Sequence, residues 1–598
     1  MARLAIARSF LADYARLDKD VRSAVDAAVV KLAKHPDPGV CVEKPPQSWD
    51  DRIRTFDVDG RWRGIALAPT IGDTYCLVTV LPQDKADAYA TTRRFSINPA
   101  PGQVTFVSGH EELRVVLSRP FAQWRTFLHP SQRTIAYRAD CSGPVQVTGG
   151  PGTGKTVTLL HRAAFLAARA GDGQVLVTAF SGILADSLAA QLDPLMPNEG
   201  VRRRIEVLNV DRLAYAVVRA SRGAPVIADE RMLRALWADA AARARLDFTP
   251  AFLKNEWEQV ILAQDLSAEE AYLGCQRAGR WRPLGAAQRG QVWQAAQRVT
   301  SALAAARQST HLQLANEAAR LLREEEAPRY RHILVDDAQD LHPAQWRLLR
   351  AAAAPGPDDL FIAADPHQRV YNNRVSLASL GISVRGRSRR LILNYRTTQE
   401  ILAWAVPLLG TAPVTGMDDE VDSLIGYRSP MHGPLPRLRV ASNRAQEFGW
   451  LAEQVRSWLA RGLEPQAMGV TARSAELVRE TRSALEAGGI ITSPLSGRRG
   501  GPGVRAGTMH AMKGLEFQAV AVVGVDQVPE AAAVTPEGED PVGHAQDMQR
   551  ERCTLFVACT RARDHLAVSG VGELSPFLPP PALSGLSGLS ASSAGRCE

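Results

Sequence analysis

A glycine-rich segment between an apolar run and a long helical pattern constrains this chain more than any other feature. The segment reads GGPGTGKT (149–156), follows the apolar run VQVTG (145–149) and opens the helical pattern VTLLHRAAFLAA. Glycines at this spacing let backbone N–H groups and a helix N-terminus surround phosphate oxygens. Lys155 should reach the outer phosphates and the Thr156 hydroxyl should bind Mg²⁺. We therefore predict a strand, a phosphate-binding loop and a helix.

Apolar runs alternate with helical stretches along most of the remaining chain, which is typical of doubly wound parallel α/β sheets. One series occupies 129–389 and a second occupies 390–575. Besides VQVTG, the two series together contain the apolar runs VLVTAF (175–180), HILVDD (332–337), LFIAAD (360–365), LILNYR (391–396), LRVAS (438–442), MGVTA (468–472), VRAGTM (504–509), VAVVGV (520–525) and HLAVSG (565–570). Residues about 228–320 show helical patterns alone, so we predict a helical insertion in the first domain.

The N-terminal residues 1–97 predict a separate small α+β domain. Its pattern comprises helices at about 3–16 and 18–35, then strands at 53–58, 62–68 and 75–81. We predict an irregular connector with one short helix over 98–128. The Pro/Ser/Gly-rich tail 576–598 is expected to be disordered.

Composition narrows the class of protein. The net charge is +8, which favours a polyanionic partner. The seven cysteines are scattered without a CxxC pair, as expected for reduced thiols in a cytoplasmic protein. We find no run of 18 apolar residues and no secretory signal at the start, and we therefore expect no membrane association. A metal-ligand cluster of His, Cys or acidic residues is not expected either.

Two further motifs supply the groups that a phosphate-binding loop needs. Asp336 and Asp337 follow a predicted strand; Asp336 would hold Mg²⁺ together with Thr156, and Asp337 would position or deprotonate the attacking water. Arg396 in NYRT and Arg561 in TRAR lie in the other predicted domain. Such arginines stabilise charge on a transferring phosphoryl group across a cleft.

Eight motifs in the family's order make the chain resemble a superfamily 1 DNA helicase of the UvrD/Rep/PcrA type, from about 129 to 570. The motifs are LHPSQRTIA (128–136), GGPGTGKT, VLVTAFSGILADSL (175–188), ILVDDAQDL, FIAADPHQRVY (361–371), LNYRT, GTMHAMKGLEF (507–517) and RCTLFVACTRAR (552–563). The resemblance implies two RecA-like domains that bind ATP and Mg²⁺ between them.

The resemblance also assigns roles to individual residues. In it, Gln132 reads the adenine edge, Tyr395 stacks on adenine and Glu516 binds the ribose. Gln368, with Asp365 and Arg369, links ATP to DNA. The nucleotide-binding set is Gln132, Gly149, Gly150, Pro151, Gly152, Thr153, Gly154, Lys155, Thr156, Tyr395 and Glu516. The catalytic set is Lys155, Asp336, Asp337, Gln368, Arg396 and Arg561. The DNA-binding set is Phe180, Tyr371, Thr508 and His510.

Aromatic and basic side chains elsewhere are further candidates for nucleic-acid contact. Trp404 could offer a face to a base. In the helical insertion, residues 273–293 carry several arginines that could grip duplex DNA, although a solvated helical face explains them equally well. These arginines, with one tryptophan, are Arg277, Arg280, Trp281, Arg282 and Arg289.

Three departures from the family pattern bear on function. Asp337 stands where relatives carry glutamate, and Val157 where many carry arginine. The large domain that relatives insert before GTMHAMKGLEF is replaced by the short loop SPLSGRRGGPG (493–503). Because that insert regulates unwinding in relatives, duplex unwinding is less firmly implied than ATP-driven movement.

The N-terminal domain resembles the RelE/ParE toxin superfamily through FDVDGRWRGIALAP (56–69) and GDTYCLVTVLPQDKADAYA (72–90). That resemblance implies an RNA or protein partner for residues 1–97, with Arg61, Arg63 and Tyr89 as functional positions, but a fold alone does not give a function.

Two readings of the whole chain follow. The first is an ATP-dependent 3′→5′ helicase or translocase on single-stranded or tailed duplex DNA, in DNA repair or recombination. The second is a DNA-stimulated ATPase switch that does not unwind and signals through the N-terminal domain. A small-molecule kinase would leave the later motifs unexplained.

Overall fold

The structure is a computed structural model. It divides into two compact units, Met1–Arg138 and Ala139–Glu598. It describes residues 3–579 except 8–9, 11–12, 15–16, 35–41, 46–51, 69–73, 93–103, 108–127, 129, 140, 170–172, 197, 245–247, 278–279, 281, 354, 370–375, 395, 413, 419, 423, 425–426, 430, 496–500, 532–533, 536 and 539–540. The predicted tail beyond residue 579 lies outside these ranges.

The first unit is built on a mixed five-stranded sheet. In spatial order its strands are Ile53–Asp57, Trp62–Leu67, Thr74–Pro82, Arg3–Ala7 and Val104–Val107. Its helices are Lys19–Lys34, Gln83–Thr92 and Pro130–Ala136. Val25, Val29 and Leu32 of the first helix pack on Phe56 and Leu77 of the sheet, which explains the apolar spacing of that helix.

Two sequence predictions in this unit are corrected by the structure, the first only in part, because Phe10, Asp13 and Tyr14 are helical as predicted. The helix predicted over 3–16 begins instead with the strand Arg3–Ala7, which pairs parallel with Thr74–Pro82 and antiparallel with Val104–Val107. The segment predicted as an irregular connector thus supplies the edge strand. Both strands are short apolar runs, and such runs fit a helix or a strand equally well until a pairing partner is known.

The first half of the second unit is a parallel six-stranded sheet covered by helices. In spatial order its strands are Ser388–Leu391, Val145–Gly149, Leu360–Ala364, His332–Asp336, Val175–Ala179 and Ile205–Asn209. Its helices are Lys155–Arg169, Gly182–Leu192, Glu199–Arg202, Val210–Arg222, His311–Glu324 and Pro343–Ala352, with 3₁₀ turns at Asp193–Leu195, Ala338–Asp340, Pro366–Gln368 and Ala378–Leu380. The central strands are fully buried, as expected for strands covered on both faces.

The predicted helical insertion has a core of its own. Its helices are Glu230–Ala244, Pro250–Glu256, the π-helical turn Trp257–Leu262, Glu269–Gly274 and Ala286–Ala305. Trp237, Trp257 and Tyr272 lie in its centre. A two-stranded pair, Val226–Ile227 with Gln308–Ser309, connects its ends.

The second half of this unit is another parallel six-stranded sheet. In spatial order its strands are Arg437–Ala441, Ala562–Val571, Phe517–Val522, Met468–Ala472, Val504–Thr508 and Thr492–Pro494. Its helices are Arg444–Ala460, Ala475–Ala487 and Pro541–Cys559, with 3₁₀ turns at Pro465–Ala467, His510–Met512 and Val525–Gln527. The two parallel sheets confirm the predicted α/β class.

A linking segment, residues 392–436, joins the two sheets. It contains the helix Gln399–Ala405, the 3₁₀ turn Val406–Leu409 and a small hairpin, Val414–Thr415 with Val421–Asp422. The strand predicted at 391–396 as the start of the second sheet is wrong. The strand is Ser388–Leu391, and it pairs with Val145–Gly149 in the first sheet.

Candidate nucleotide and DNA site

The glycine-rich loop connects the strand Val145–Gly149 to the helix Lys155–Arg169, as predicted. Gly152 and Gly154 have φ of 72° and 82°, a left-handed conformation that glycine adopts without strain. The Thr153 hydroxyl donates to the Gly150 carbonyl at 2.9 Å. The loop is therefore a closed turn whose amides precede a helix N-terminus, the arrangement that binds phosphate.

Lys155 is buried and contacts the loop that carries it. Its ammonium donates to the carbonyls of Gly149 and Gly150 at 2.8 and 2.9 Å, and to Asp365 Oδ2 at 3.3 Å. Burial alone would raise the pKa of Asp365, but Lys155 and the neighbouring donors His367 and Gln368 lower it to about 2. The lysine is thus held by a fully buried carboxylate at the end of the neighbouring strand.

Thr156 and Asp336 come together as a metal site requires. The Thr156 hydroxyl donates to Asp336 Oδ2 at 2.9 Å. Among the described residues, Asp336 Oδ1 has no hydrogen-bond partner although it is buried. Burial, and then the neighbouring charge of Asp337, raise the pKa of Asp336. An oxygen-only donor set with an unsatisfied carboxylate oxygen fits Mg²⁺, which would neutralise this charge and that of bound phosphates.

Asp337 follows in a left-handed conformation, with φ of 48°. A non-glycine residue in this region is uncommon and is found where the surroundings impose it. Gln339 donates to the Asp337 carboxylate at 3.3 Å. The backbone turn thus directs Asp336 and Asp337 differently, although they are consecutive.

A path of side-chain hydrogen bonds joins the two sheets. Gln368 donates to Asp365 Oδ2 at 2.5 Å, and its own Oε1 accepts from Arg561 Nη2 at 2.8 Å. Arg561 is buried, and burial lowers its pKa. The predicted residues Gln368 and Arg561 are therefore in contact, with Lys155 at the far end of the path.

Arg396 and Glu516 form an ion pair that the sequence did not predict. The family resemblance assigns both residues to the nucleotide, Arg396 to the phosphates and Glu516 to the ribose. Tyr395, predicted to stack on adenine, lies outside the described residues. Gln132 is buried in the short helix Pro130–Ala136 of the first unit.

For some contacts of the site, the sequence gives no indication other than an uncommon residue type. Lys513, in a chain that uses few lysines, pairs with Asp340 and donates to the Gln368 carbonyl at 2.7 Å. Tyr427 accepts a hydrogen bond from the Gly150 amide. Tyr427 belongs to no predicted motif, so nothing in the sequence pointed to it.

The predicted DNA-binding residues that the structure describes lie at or just after the carboxyl ends of strands. Thr508 ends the strand Val504–Thr508, and His510 begins the next 3₁₀ turn. Burial, and then the charge of Arg473, lower the pKa of His510 to about 4, so its imidazole is neutral near pH 7. Phe180 follows the strand Val175–Ala179 and packs partly against the core. Tyr371 lies outside the described residues.

The structure corrects two candidate nucleic-acid contacts. Trp404 is 2% exposed in the core of the second sheet and offers no face to a base. Arg277 and Arg280 pair with buried Glu256 at 2.5 and 2.9 Å. Arg289 donates to three backbone carbonyls of the insertion, and Arg282 lies over Phe248. These arginines make contacts inside the insertion, and Arg277 is buried, so the solvated helical face does not describe them and a grip on duplex DNA is not needed to explain them. Trp281 lies outside the described residues.

Two kinds of feature are absent from the described residues. No helix there is long and apolar enough to cross a membrane. In the same residues, no group of three or more His, Cys, Asp or Glu side chains could hold a metal ion.

Comparison with known families agrees with the site. Residues 128–380 match the UvrD/REP helicase N-terminal domain, and residues 498–572 match the UvrD-like helicase C-terminal domain. The first match spans the glycine-rich loop, Asp336 and Gln368; the second spans Glu516 and Arg561. Together they cover more than half of the chain.

Individual relatives have low sequence identity to this chain but align over long stretches of it. The ATP-dependent DNA helicase UvrD2 of Mycobacterium bovis is 25% identical over 560 residues, which is 73% of this chain and 77% of the relative. The protein of the same name from Mycobacterium tuberculosis has the same values. A probable DNA helicase of Mycoplasma pneumoniae is 27% identical over 249 residues, or 40% of this chain and 43% of the relative.

Proposed function

Since its two family matches make this chain a UvrD-like DNA helicase, we propose that it moves 3′→5′ along single-stranded DNA by hydrolysing ATP with Mg²⁺, and that it acts in DNA repair or recombination. The observation that carries the proposal is the path Lys155–Asp365–Gln368–Arg561. It joins the phosphate-binding lysine on one sheet to an arginine beside the other. A nucleotide that binds Lys155 and Arg561 would therefore act on both halves at once.

The residues of the site divide the chemistry between them. Thr156 and Asp336 would hold Mg²⁺, and Asp337 would position the attacking water. Arg396 and Arg561 would stabilise the charge that develops on the phosphate oxygens. Because Arg396 is paired with Glu516 in this structure, engagement of the nucleotide by both residues requires that pair to open.

Strand displacement tests this proposal directly. The substrate is a duplex with a 3′ single-stranded tail, and ATP turnover is measured in the same reaction. Displacement of the 3′-tailed duplex, with none of a 5′-tailed or blunt duplex, is the expected result. Preference for the 5′ tail would overturn the polarity. DNA-stimulated turnover without displacement of any substrate would overturn unwinding.

A second candidate function is a DNA-stimulated ATPase switch with the N-terminal unit as its output. Two observations favour it: the short loop between the strands Thr492–Pro494 and Val504–Thr508, where relatives insert a domain, and the additional five-stranded sheet. In that sheet Arg63, a functional position by the toxin resemblance, pairs with Glu43 at 3.3 Å.

Removing the N-terminal sheet separates the two functions. The deletion must extend past Val107, because the strand Val104–Val107 pairs with Arg3–Ala7. A helicase should keep ATP turnover and strand displacement without this sheet. A switch should keep DNA-stimulated turnover in vitro but lose its effect in cells.

A further inference from the structure

Tyr427, in the linking segment, contacts the first peptide of the phosphate-binding loop. The Gly150 amide donates to its hydroxyl oxygen, across 277 residues of sequence. The side chain is half-buried, and Arg390 lies over its ring with Cζ 5.5 Å from the centroid. Arg390 in turn pairs with Asp422 at 2.9 Å. The tyrosine is therefore fixed on more than one side.

The loop makes room for this ring. A Cβ atom at Gly150 would stand 2.5 Å from Cε1 and 2.9 Å from Cδ1 of Tyr427, closer than Cβ contacts occur. Gly150 is not among the residues with positive φ, so its backbone does not demand glycine. The ring of Tyr427 therefore leaves no space for a side chain at this position.

The same peptide unit is held at its other end by Lys155. The Gly149 carbonyl accepts from the Lys155 ammonium at 2.8 Å, and the Gly150 N–H belongs to that same peptide. Rotation of this peptide would move the carbonyl on which Lys155 rests. Tyr427 thus opposes a rotation that would displace the lysine.

Tyr427 is also tied to the segment that carries Arg396. Arg428 forms a parallel bridge with Leu393, and its carbonyl accepts from the Asn394 amide at 3.0 Å. The Asn394 side chain accepts from the Arg396 and Thr397 amides at 2.8 and 3.0 Å. A shift of Tyr427 would therefore reach both the phosphate-binding loop and the arginine beside it.

We propose that Tyr427 is a positioning residue for the nucleotide site: it holds the Gly149–Gly150 peptide in the orientation that places Lys155, and it connects this peptide to the turn that carries Arg396. The assignment rests on the proposed ATPase function. It concerns binding of the nucleotide more than the chemical step, because Tyr427 contacts the loop.

The conservative variant Tyr427→Phe tests the hydroxyl alone. It leaves the ring in place and leaves a buried N–H without its partner, a loss that corresponds to about a factor of ten in an equilibrium constant. We expect the Kd for a fluorescent ADP analogue and the KM for ATP to rise about tenfold, while kcat changes less than about threefold. If Tyr427 served only to stabilise the fold, Tyr427→Phe would lower the melting temperature but would not raise KM while leaving kcat nearly unchanged.

Tyr330→Phe is the matched control. Tyr330 is buried and its hydroxyl donates to Glu206 at 2.6 Å, so this variant also removes a tyrosine hydrogen bond, but away from the loop. It should leave KM and Kd unchanged. If wild type and Tyr427→Phe bind the ADP analogue and hydrolyse ATP equally well, the positioning role of Tyr427 is overturned while the proposed function stands. A wild type that binds no nucleotide would overturn the proposed function, and this proposal with it.

A double-mutant cycle gives a second, independent test. Gly150→Ala alone should weaken nucleotide binding, because the added methyl meets the ring. Combined with Tyr427→Ala, the methyl has space, and the double variant should bind no more weakly than Tyr427→Ala alone. Additive losses would show that Tyr427 does not act through Gly150 and would overturn the proposal.

Discussion

Arg561 donates to the side-chain oxygen of Gln368 at 2.8 Å, which places a guanidinium from the second half of the unit one residue away from the carboxylate that holds Lys155. Each group in this path is buried. Hydrogen bonds in such surroundings polarise one another, and loss of one partner leaves the next unsatisfied. The path is therefore expected to respond as a unit.

Arg561→Ala should separate nucleotide binding from turnover. The arginine can stabilise charge that develops during phosphoryl transfer, and fingers of this kind contribute about 10³-fold or more to kcat. We expect kcat for DNA-stimulated ATP hydrolysis to fall by about that factor, with less than about fivefold change in the KM for ATP. The measurement is steady-state turnover with saturating single-stranded DNA.

Gln368→Ala and the double variant complete this experiment. If Gln368 and Arg561 act as one unit, the double variant should be little worse than Arg561→Ala. Multiplied losses would mean that the two side chains act separately. A large rise in KM for Arg561→Ala would place the arginine in ground-state binding instead.

Lys155→Ala should abolish hydrolysis and also destabilise the fold. Removal of the ammonium takes away the group that we propose binds the phosphates, and it leaves the buried Asp365 carboxylate with fewer partners. That carboxylate has a pKa of about 2, so the stability it contributes is present at neutral pH and is lost as the pH falls through the folded pKa. We expect turnover to fall below 1% of wild type, with a lower melting temperature.

Asp365→Asn provides the control for Lys155→Ala. An amide at this position has no charge to compensate, so Lys155→Ala combined with Asp365→Asn should recover part of the melting temperature and none of the activity. Equal melting temperatures for wild type and Lys155→Ala would contradict the importance of the Lys155–Asp365 pair. Normal hydrolysis by Lys155→Ala would contradict the site itself.

Much of the candidate nucleotide site was predictable from the sequence, because short motifs identify the residues that lie at the ends of strands. The glycine-rich loop, Thr156, Asp336 and Gln368 meet where the carboxyl ends of the parallel strands of the first sheet meet, and Arg561 reaches them from the amino end of the strand Ala562–Val571. Ion pairs within the site, such as Arg396 with Glu516, could not be predicted in this way. They depend on how distant segments approach each other.

The N-terminal sheet shows a different limit of the sequence. The run Arg3–Ala7 is a strand because Thr74–Pro82 and Val104–Val107 lie on either side of it, and neither partner is adjacent in sequence. Trp404 was misassigned for a related reason. An aromatic side chain serves a core and a nucleic-acid surface equally well, and its burial follows from the helix Gln399–Ala405 packing on the second sheet.

His510 is expected to contact DNA as a neutral group. Its pKa of about 4 leaves the imidazole uncharged between pH 6 and 8. His510→Ala should therefore weaken binding to single-stranded DNA without changing the slope of log Kd against log salt concentration. Loss of a charged phosphate contact would instead reduce that slope by about one. Titration of DNA binding with salt, for wild type and variant, distinguishes the two.

Glu258 in the helical insertion should make the protein less stable as the pH rises. Burial raises its pKa to about 7, and the ammonium of Lys254, 4.0 Å away, offsets this only in part. Between the ordinary glutamate pKa and pH 7 the unfolded chain releases a proton that the folded chain keeps, so folding loses free energy over this range.

Glu258→Gln removes that titration. The variant should be more stable than wild type at pH 8 by up to about 3 kcal/mol, since each unit of pKa shift corresponds to about 1.4 kcal/mol. The difference should shrink towards zero at pH 5, where the wild-type carboxyl is protonated in the folded protein. Thermal unfolding at both pH values measures it, with Glu270→Gln at an exposed position as the control. A gain that is equal at pH 5 and pH 8 would come from packing, and the titration of the half-buried Glu258 carboxyl would not be its source.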